Sequence, residues 1–191
     1  PDAPVAFQVI LPFAGCIFLL HAILAAAFLV IPRLLEQTGV VGAAQGEFYL
    51  MSLLASLLLT VPLVLLVKPH KSVLIPVTGA VLVVASLIGL AGNKPALGVA
   101  LALFFGGFNF LEAWLPAGAS LASGRQRRGE LLGAYSTAQF LGVFAGGAGG
   151  GLIAATFGVQ AIVVAVGLLG VLLLAGVVYA ASTQSATLSR G

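Results

Sequence analysis

Long apolar stretches alternate with short polar ones along the chain, and this alternation is its first structural signal. Asp, Glu, Lys and Arg are absent from four stretches: residues 3–32, 48–67, 72–93 and 131–189. A transmembrane helix needs about 20 consecutive apolar residues, so the longest stretch can supply two helices. One further apolar stretch, residues 95–120, is interrupted only by Glu112. The pattern therefore predicts six membrane-spanning helices.

We label the predicted helices A to F in chain order. Their approximate bounds are residues 5–31, 47–67, 73–92, 95–120, 131–155 and 160–181. Pro32 is predicted to end helix A, and the Phe157-Gly158 pair is predicted to separate E from F. The runs are too long for strands and lack the alternation of a membrane barrel. The predicted fold class is an all-α membrane protein in which residues 1–191 form a single six-helix domain.

Composition makes the lipid bilayer the expected surroundings of the chain. Only 7% of the residues are charged and 61% are hydrophobic, whereas soluble domains carry about 25% charged residues. So few charges exclude a soluble enzyme and a disordered segment, and the scattered basic residues exclude a nucleic-acid partner. Cys16 is the only cysteine, which leaves no disulfide framework and no thiolate metal cluster. We expect no cofactor and no intramembrane enzyme, since no catalytic set of side chains shares a deep face.

The basic residues predict the orientation of the helices. Six crossings place both termini on one side, together with the B–C and D–E loops. That side carries six of the eight basic residues, namely Lys68, Lys71, Arg125, Arg127, Arg128 and Arg190, and the other side carries Arg33 and Lys94. Since Lys and Arg concentrate in cytoplasmic loops, both termini are predicted to be cytoplasmic.

A short internal match suggests a repeat. Gly46-Glu47 opens helix B, and Gly129-Glu130 opens helix E. Residues 5–92 and 95–181 would then form two equivalent three-helix units, and the odd number of helices in each unit inverts the second one. Inverted repeats of this kind are typical of secondary transporters.

Glu112 is the sharpest polar feature, because it lies about 13 Å of helix rise from the nearer end of helix D. A carboxylate at such depth costs several kcal/mol unless it is neutralised or hydrated. We interpret Glu112 as a candidate proton-coupling or cation-recognising group, and the alternative is a protonated side chain that only joins two helices. Asn109 shares its face of the helix and is either a cavity group or an interhelical hydrogen-bonding residue.

Helices E and A supply further candidates. Gln139 lies at a depth similar to that of Glu112, so Gln139 or Tyr135 is predicted to approach it, or else all three form a polar seam between D and E. His21 is predicted about 10 Å further from the cytoplasmic side than Glu112, which argues against a direct ion pair. His21 is either a titrating group or a neutral hydrogen-bonding residue, and a lone His does not form a metal site.

Gly142, Gly146 and Gly150 recur every four residues along helix E. Missing side chains at this spacing let a second helix backbone approach closely. The three glycines are therefore predicted to be helix-packing positions.

Two segments carry a family resemblance. Residues 108–116, FNFLEAWLP, and residues 133–142, GAYSTAQFLG, followed by the glycine run, resemble the major facilitator superfamily and most of all its YajR-type group of bacterial drug-efflux-like transporters. The resemblance covers the carboxy-terminal six-helix half of such a protein. It implies that A and D, with His21 and Glu112, line the central cavity, that B and E contact the other half, and that C and F face lipid.

The function implied by the resemblance is proton-coupled export of small amphipathic compounds across the bacterial inner membrane. Asn109, Tyr135 and Gln139 would join His21 as substrate-cavity candidates. A six-helix half needs a partner, which would be a missing amino-terminal half or a second copy of the chain, and the start at Pro1 favours the former. The alternative is a non-transporting membrane assembly module that uses the glycine-rich face of helix E.

Overall fold

The part of the chain that the structure describes is a bundle of six α-helices. A computed structural model describes residues 7–66, 73–87, 93–123 and 128–188. The helices are α1 (Phe7–Gln37), α2 (Ala43–Leu66), α3 (Leu74–Ser86), α4 (Lys94–Ser123), α5 (Arg128–Phe157) and α6 (Val159–Leu188). All except α3 are long and apolar enough to cross a membrane, and the described part of α3 has 13 residues. A helix satisfies its own backbone polar groups in hydrocarbon, and the predicted all-α fold is confirmed.

Helix α1 does not end at Pro32, and that prediction is wrong. The helix continues to Gln37 with Pro32 inside it. It stops at Gly39, which has a left-handed φ of 82° and donates its N–H to the carbonyl of Glu36, while Val40 donates to Leu35. These two bonds form a Schellman motif, which closes a helix by satisfying its last carbonyls. The proline is tolerated because local adjustments can satisfy the freed carbonyl in a packed bundle.

We expect Gly39→Ala to destabilise the protein by about 1 kcal/mol, because a side chain disfavours the left-handed conformation. Gly46→Ala is the matched control, since Gly46 lies inside α2 without a left-handed φ and a new methyl group there would meet nothing within 4 Å. Thermal unfolding in detergent measures both effects. Equal midpoints for the two variants would contradict the role of Gly39 as the helix stop.

The turn between α5 and α6 is the one that the sequence predicts. Gly158 has a φ of 83° and donates its N–H to the carbonyl of Ala154, so α5 ends at Phe157 and α6 begins at Val159.

The predicted membrane orientation rests on basic residues, most of which lie outside the described residues, namely Lys68, Lys71, Arg125, Arg127 and Arg190. Arg33 and Lys94 are described, and both are exposed.

The contacts between the first three helices and the last three occur in equivalent pairs. The first helix packs closely on α5 and α6, and α4 packs in the same way on α2 and α3. If α1, α2 and α3 are exchanged with α4, α5 and α6, the contact of α1 with α5 becomes that of α4 with α2. The contact of α1 with α6 becomes that of α4 with α3. Two equivalent three-helix units would give this pattern, and the internal repeat stays a prediction. The same contacts make α1 and α4 the central helices of the bundle.

The contact between α1 and α5 is made backbone against backbone. A methyl group added to Gly142 or Gly146 would collide with the carbonyl oxygens of Phe18 or Ala22, and one at Gly150 would meet the Leu29 side chain and the Cα of Ala26. Each step of four residues along α5, from Gly142 to Gly146 to Gly150, is therefore matched by a step of four residues along α1. Because both sets of residue numbers rise together, the two helices run in the same direction.

Candidate functional site

Three polar side chains from three helices meet inside the apolar bundle. The Gln139 Nε2 of α5 lies 2.9 Å from the His21 Nε2 of α1 and 3.2 Å from the Glu112 Oε1 of α4. The second carboxylate oxygen of Glu112 lies 3.4 Å from His21 Nε2. We call His21, Glu112 and Gln139 the polar cluster. The predicted approach of Gln139 to Glu112 is present.

Packing of α5 on α1 brings the cluster together. Gln139 precedes Gly142 by three residues, so it lies one turn from the position where the two backbones touch. His21 is held from its own helix, because its Nδ1 lies 3.1 Å from the carbonyl oxygen of Ile17. A carbonyl only accepts, so Nδ1 carries the hydrogen, and in a neutral imidazole Nε2 is then an acceptor. Gln139 can therefore donate one N–H to His21 and the other to Glu112.

The expectation that His21 lies too far from Glu112 for direct contact is wrong. Measured along its helix, His21 lies about 21 Å from Phe7, and Glu112 lies about 17 Å from Ser123. The predicted helix ends exaggerated this difference, because α4 runs beyond its predicted end to Ser123. A remaining offset of about one helical turn is within reach of the two side chains.

The carboxylate of Glu112 lies at a boundary between buried and open space. Its side chain is 35% exposed, whereas that of His21 is 6% exposed. Oxygen Oε2 is itself buried and accepts no hydrogen bond from the described residues. Tyr135, one turn before Gln139, is also buried, and its hydroxyl has no hydrogen-bond partner in the described part of the chain. The Tyr135 hydroxyl lies within electrostatic range of Glu112.

Asn109 lies outside the polar cluster. It is half-buried on α4, one turn before Glu112, and among the described residues no hydrogen bond joins its side chain to His21, Glu112 or Gln139. No group of three or more potential metal ligands occurs in the described ranges. The glycine stripe Gly142, Gly146 and Gly150 is covered by α1, which leaves it unavailable to another protein.

Aromatic rings continue from the cluster towards the α1–α2 loop. Phe108 meets the His21 ring edge-on at 5.3 Å. Further along, Phe28 of α1 stacks on Tyr49 of α2 at 5.6 Å and meets Phe105 of α4 at 6.3 Å. We call Phe28, Tyr49 and Phe105 the aromatic layer. Sequence reasoning missed it, although each of the helices α1 and α4 carries a phenylalanine seven residues from its cluster residue.

Two curated proteins are similar to this chain in sequence. The inner membrane transport protein YajR of Escherichia coli (strain K12) is 33% identical over 153 residues, which are 78% of this chain and 34% of that protein. The chain belongs to the major facilitator superfamily of transporters. An uncharacterised transporter of Buchnera aphidicola subsp. Acyrthosiphon pisum (strain APS), BU466, is 31% identical over 135 residues, or 68% of this chain and 34% of that protein.

The aligned part spans about a third of the length of each relative. No protein-family model matches the chain. The family resemblance of the segments around Glu112 and Gln139 is thus confirmed, and the chain is a multi-pass membrane protein related to transporters.

Proposed function

We propose that this chain is the carboxy-terminal half of a secondary transporter that exports small amphipathic compounds in exchange for protons across the bacterial inner membrane, with both termini cytoplasmic. The polar cluster carries the proposal. An ionisable pair at membrane depth is costly and is by default a candidate functional site, and here His21 and Glu112 are joined by Gln139, so that three helices contribute to the cluster. The Escherichia coli relative is an inner membrane transport protein, which supports both the proposed membrane and the proposed transport function.

The hydrogen-bond pattern of the cluster corresponds to one protonation state. Gln139 donates to both His21 Nε2 and Glu112 Oε1, and this requires a neutral imidazole and an acceptor oxygen on the carboxyl group. A proton added to His21 Nε2 would place two donors face to face. The one N–H at Nε2 would then donate to Glu112 Oε2 across the present gap of 3.4 Å, and the Gln139 amide would have to turn away from His21.

The same proton therefore selects between two arrangements of side chains on α1, α4 and α5. Each arrangement satisfies a different set of hydrogen bonds, so protonation is linked to the positions of three helices. Such a two-state element is what coupling between a proton and a substrate requires. Tyr135, whose hydroxyl is buried near Glu112, and half-buried Asn109 are proposed as cavity groups next to the cluster.

A partner would complete the cavity. The helices α2 and α5 bury the smallest share of their residues among the five long spans, and we propose that they meet a missing amino-terminal half or a second copy of the chain. The alternative function, an assembly module held through the glycine stripe, is not supported, because α1 of the same chain occupies that stripe.

Transport by the full-length protein in proteoliposomes tests the proposed function. An imposed proton gradient should drive export of an amphipathic dye, and dye movement should in turn carry protons, reported by a trapped pH indicator. Control liposomes without protein measure leakage. Dye movement that ignores the gradient would contradict proton coupling, and a complete lack of movement would contradict transport of this class of compound.

A further inference from the structure

We propose that a crevice between α5 and α6 holds one acyl chain of a membrane lipid. Alanine and glycine make up most of its lining, which includes Ala22 and Ala26 of α1, Ala145 and Gly149 of α5, and Ala165 of α6. We call this space the α5–α6 crevice. It is separate from the polar cluster, because no member of the cluster lines it, and the inference does not depend on the proposed function.

The α5–α6 crevice has its floor on α1 and its mouth between α5 and α6. Ala22 and Ala26 are almost fully buried, whereas Ala145, Gly149 and Ala165 are half-buried. A methyl group added to Gly149 would meet nothing within 4 Å, so the space beside it is open. The small side chains at the mouth leave a gap there, and α1 packs more closely on α5 and α6 than these two helices pack on each other.

The mouth lies at a depth that the acyl chains of one leaflet reach. Gly149 is nine residues before Gly158, where α5 turns into α6, and Ala165 is seven residues after it. These counts place the mouth about 10 to 14 Å of helix rise from the turn. Each leaflet contributes about half of a hydrocarbon core that is about 30 Å thick. A chain from the leaflet at the α5–α6 turn therefore passes the mouth.

The lining selects a hydrocarbon occupant. The crevice has a volume of about 160 Å³, and no polar side chain of the described residues lines it. Apolar cavities of this size stay dry and accept small hydrocarbons, since roughly 150 Å³ accommodates benzene. An empty cavity would leave the atoms of its lining without contacts on one side. A linear segment of several methylene groups can enter through the mouth and restore those contacts.

Lipid is the occupant that the surroundings of the mouth favour. Helix α6 is the most apolar of the five candidate spans, with a mean hydropathy of 2.9. Val164 and Leu168, which flank Ala165 on the outer surface of α6, are both aliphatic and 65% exposed. A helix of another protein is about 10 Å wide with its side chains, which is too wide for a cavity of this volume. An acyl chain is thin enough and is abundant at this depth.

Photolabelling of the full-length protein in nanodiscs tests the proposal. The nanodiscs contain a phosphatidylcholine with a diazirine midway along one acyl chain, and the carbene formed on illumination inserts into bonds that it touches. Mass spectrometry of peptides locates the label. We expect label on Ala22 or Ala26, which are almost fully buried and so beyond the reach of lipid outside the crevice. Ala27, a buried alanine of α1 outside the lining, should carry none.

Variants at the mouth test whether the chain enters between α5 and α6. Gly149→Leu places a side chain in the crevice and should lose the label on α1. Gly151→Leu is the matched control and should keep the label, because Gly151 is exposed and outside the lining. Gly149→Ala should weaken the label without disturbing the fold, since its methyl group meets nothing within 4 Å. Thermal unfolding checks that each variant is folded.

Two results would overturn the proposal. One is label on exposed residues such as Val164 and Leu168 with none on α1, which is expected if the chain stays outside or if a side chain of a partner fills the crevice. The other is label on Ala22 or Ala26 that persists in Gly149→Ala and Gly149→Leu at the level of the unmodified protein, which would show that the chain reaches α1 by another route.

Discussion

Replacing Glu112 with Gln in the full-length protein is expected to lower proton-driven transport about 100-fold, near the upper end of typical coupling between two sites. The amide retains the size of the side chain and an oxygen that can accept from Gln139. It cannot take up a proton, so His21 and Gln139 lose the partner with which a proton is shared. Reconstituted protein and an imposed pH gradient provide the measurement.

The control for Glu112→Gln is Glu47→Gln, at an exposed carboxylate near the start of α2, which should transport normally. Exchange of substrate across the membrane without a proton gradient should persist in Glu112→Gln, because substrate movement and proton movement are separate steps. Normal gradient-driven transport by Glu112→Gln would remove Glu112 from the coupling site, and His21 would then be the remaining titratable group in the cluster.

Replacing Gly146 with Ala is expected to destabilise the bundle by about 3 kcal/mol, at the upper end of typical overpacking costs. The new methyl group would collide with the backbone of Ala22, and a backbone in a packed helix cannot move aside as a flexible side chain can. Separation of α1 from α5 would also pull Gln139 away from His21. Folded yield and thermal unfolding in detergent provide the measurement.

The neighbouring Gly147 gives a matched control, because a methyl group at this position meets nothing within 4 Å. Gly147→Ala should be folded and as stable as the unmodified protein. Equal stability of Gly146→Ala and Gly147→Ala would show that α1 and α5 do not touch through their backbones, and the geometry of the polar cluster would then lose its support.

The helices follow from the sequence because hydrocarbon allows few alternatives. Charge-free runs of sufficient length must satisfy their own backbone, so six helices and the Gly158 turn were predictable. The end of α1 was not, because two breakers compete near it. Pro32 disturbs a helix without ending it when neighbours satisfy the freed carbonyl, whereas Gly39 offers the left-handed conformation that closes one.

The candidate site was predictable only in part. Gln139 was correctly placed beside Glu112, because both depths can be counted in residues from the short loop that joins α4 to α5. No short loop joins α1 to α4, so the depths of His21 and Glu112 were counted from two separately predicted helix ends. The errors in those two ends added up. The partner of the glycine stripe was equally hidden, because spacing shows that a backbone can approach but not which one.

The most direct test of the central claim is a ¹⁵N NMR titration of the full-length protein that follows the His21 imidazole and the Gln139 side-chain amide together, with His21→Gln and Gln139→Leu providing the assignments. If one proton rearranges the polar cluster, the two signals shift at the same pH, and Glu112→Gln moves or abolishes that joint transition. A Gln139 amide signal that stays constant while His21 titrates would contradict the claim.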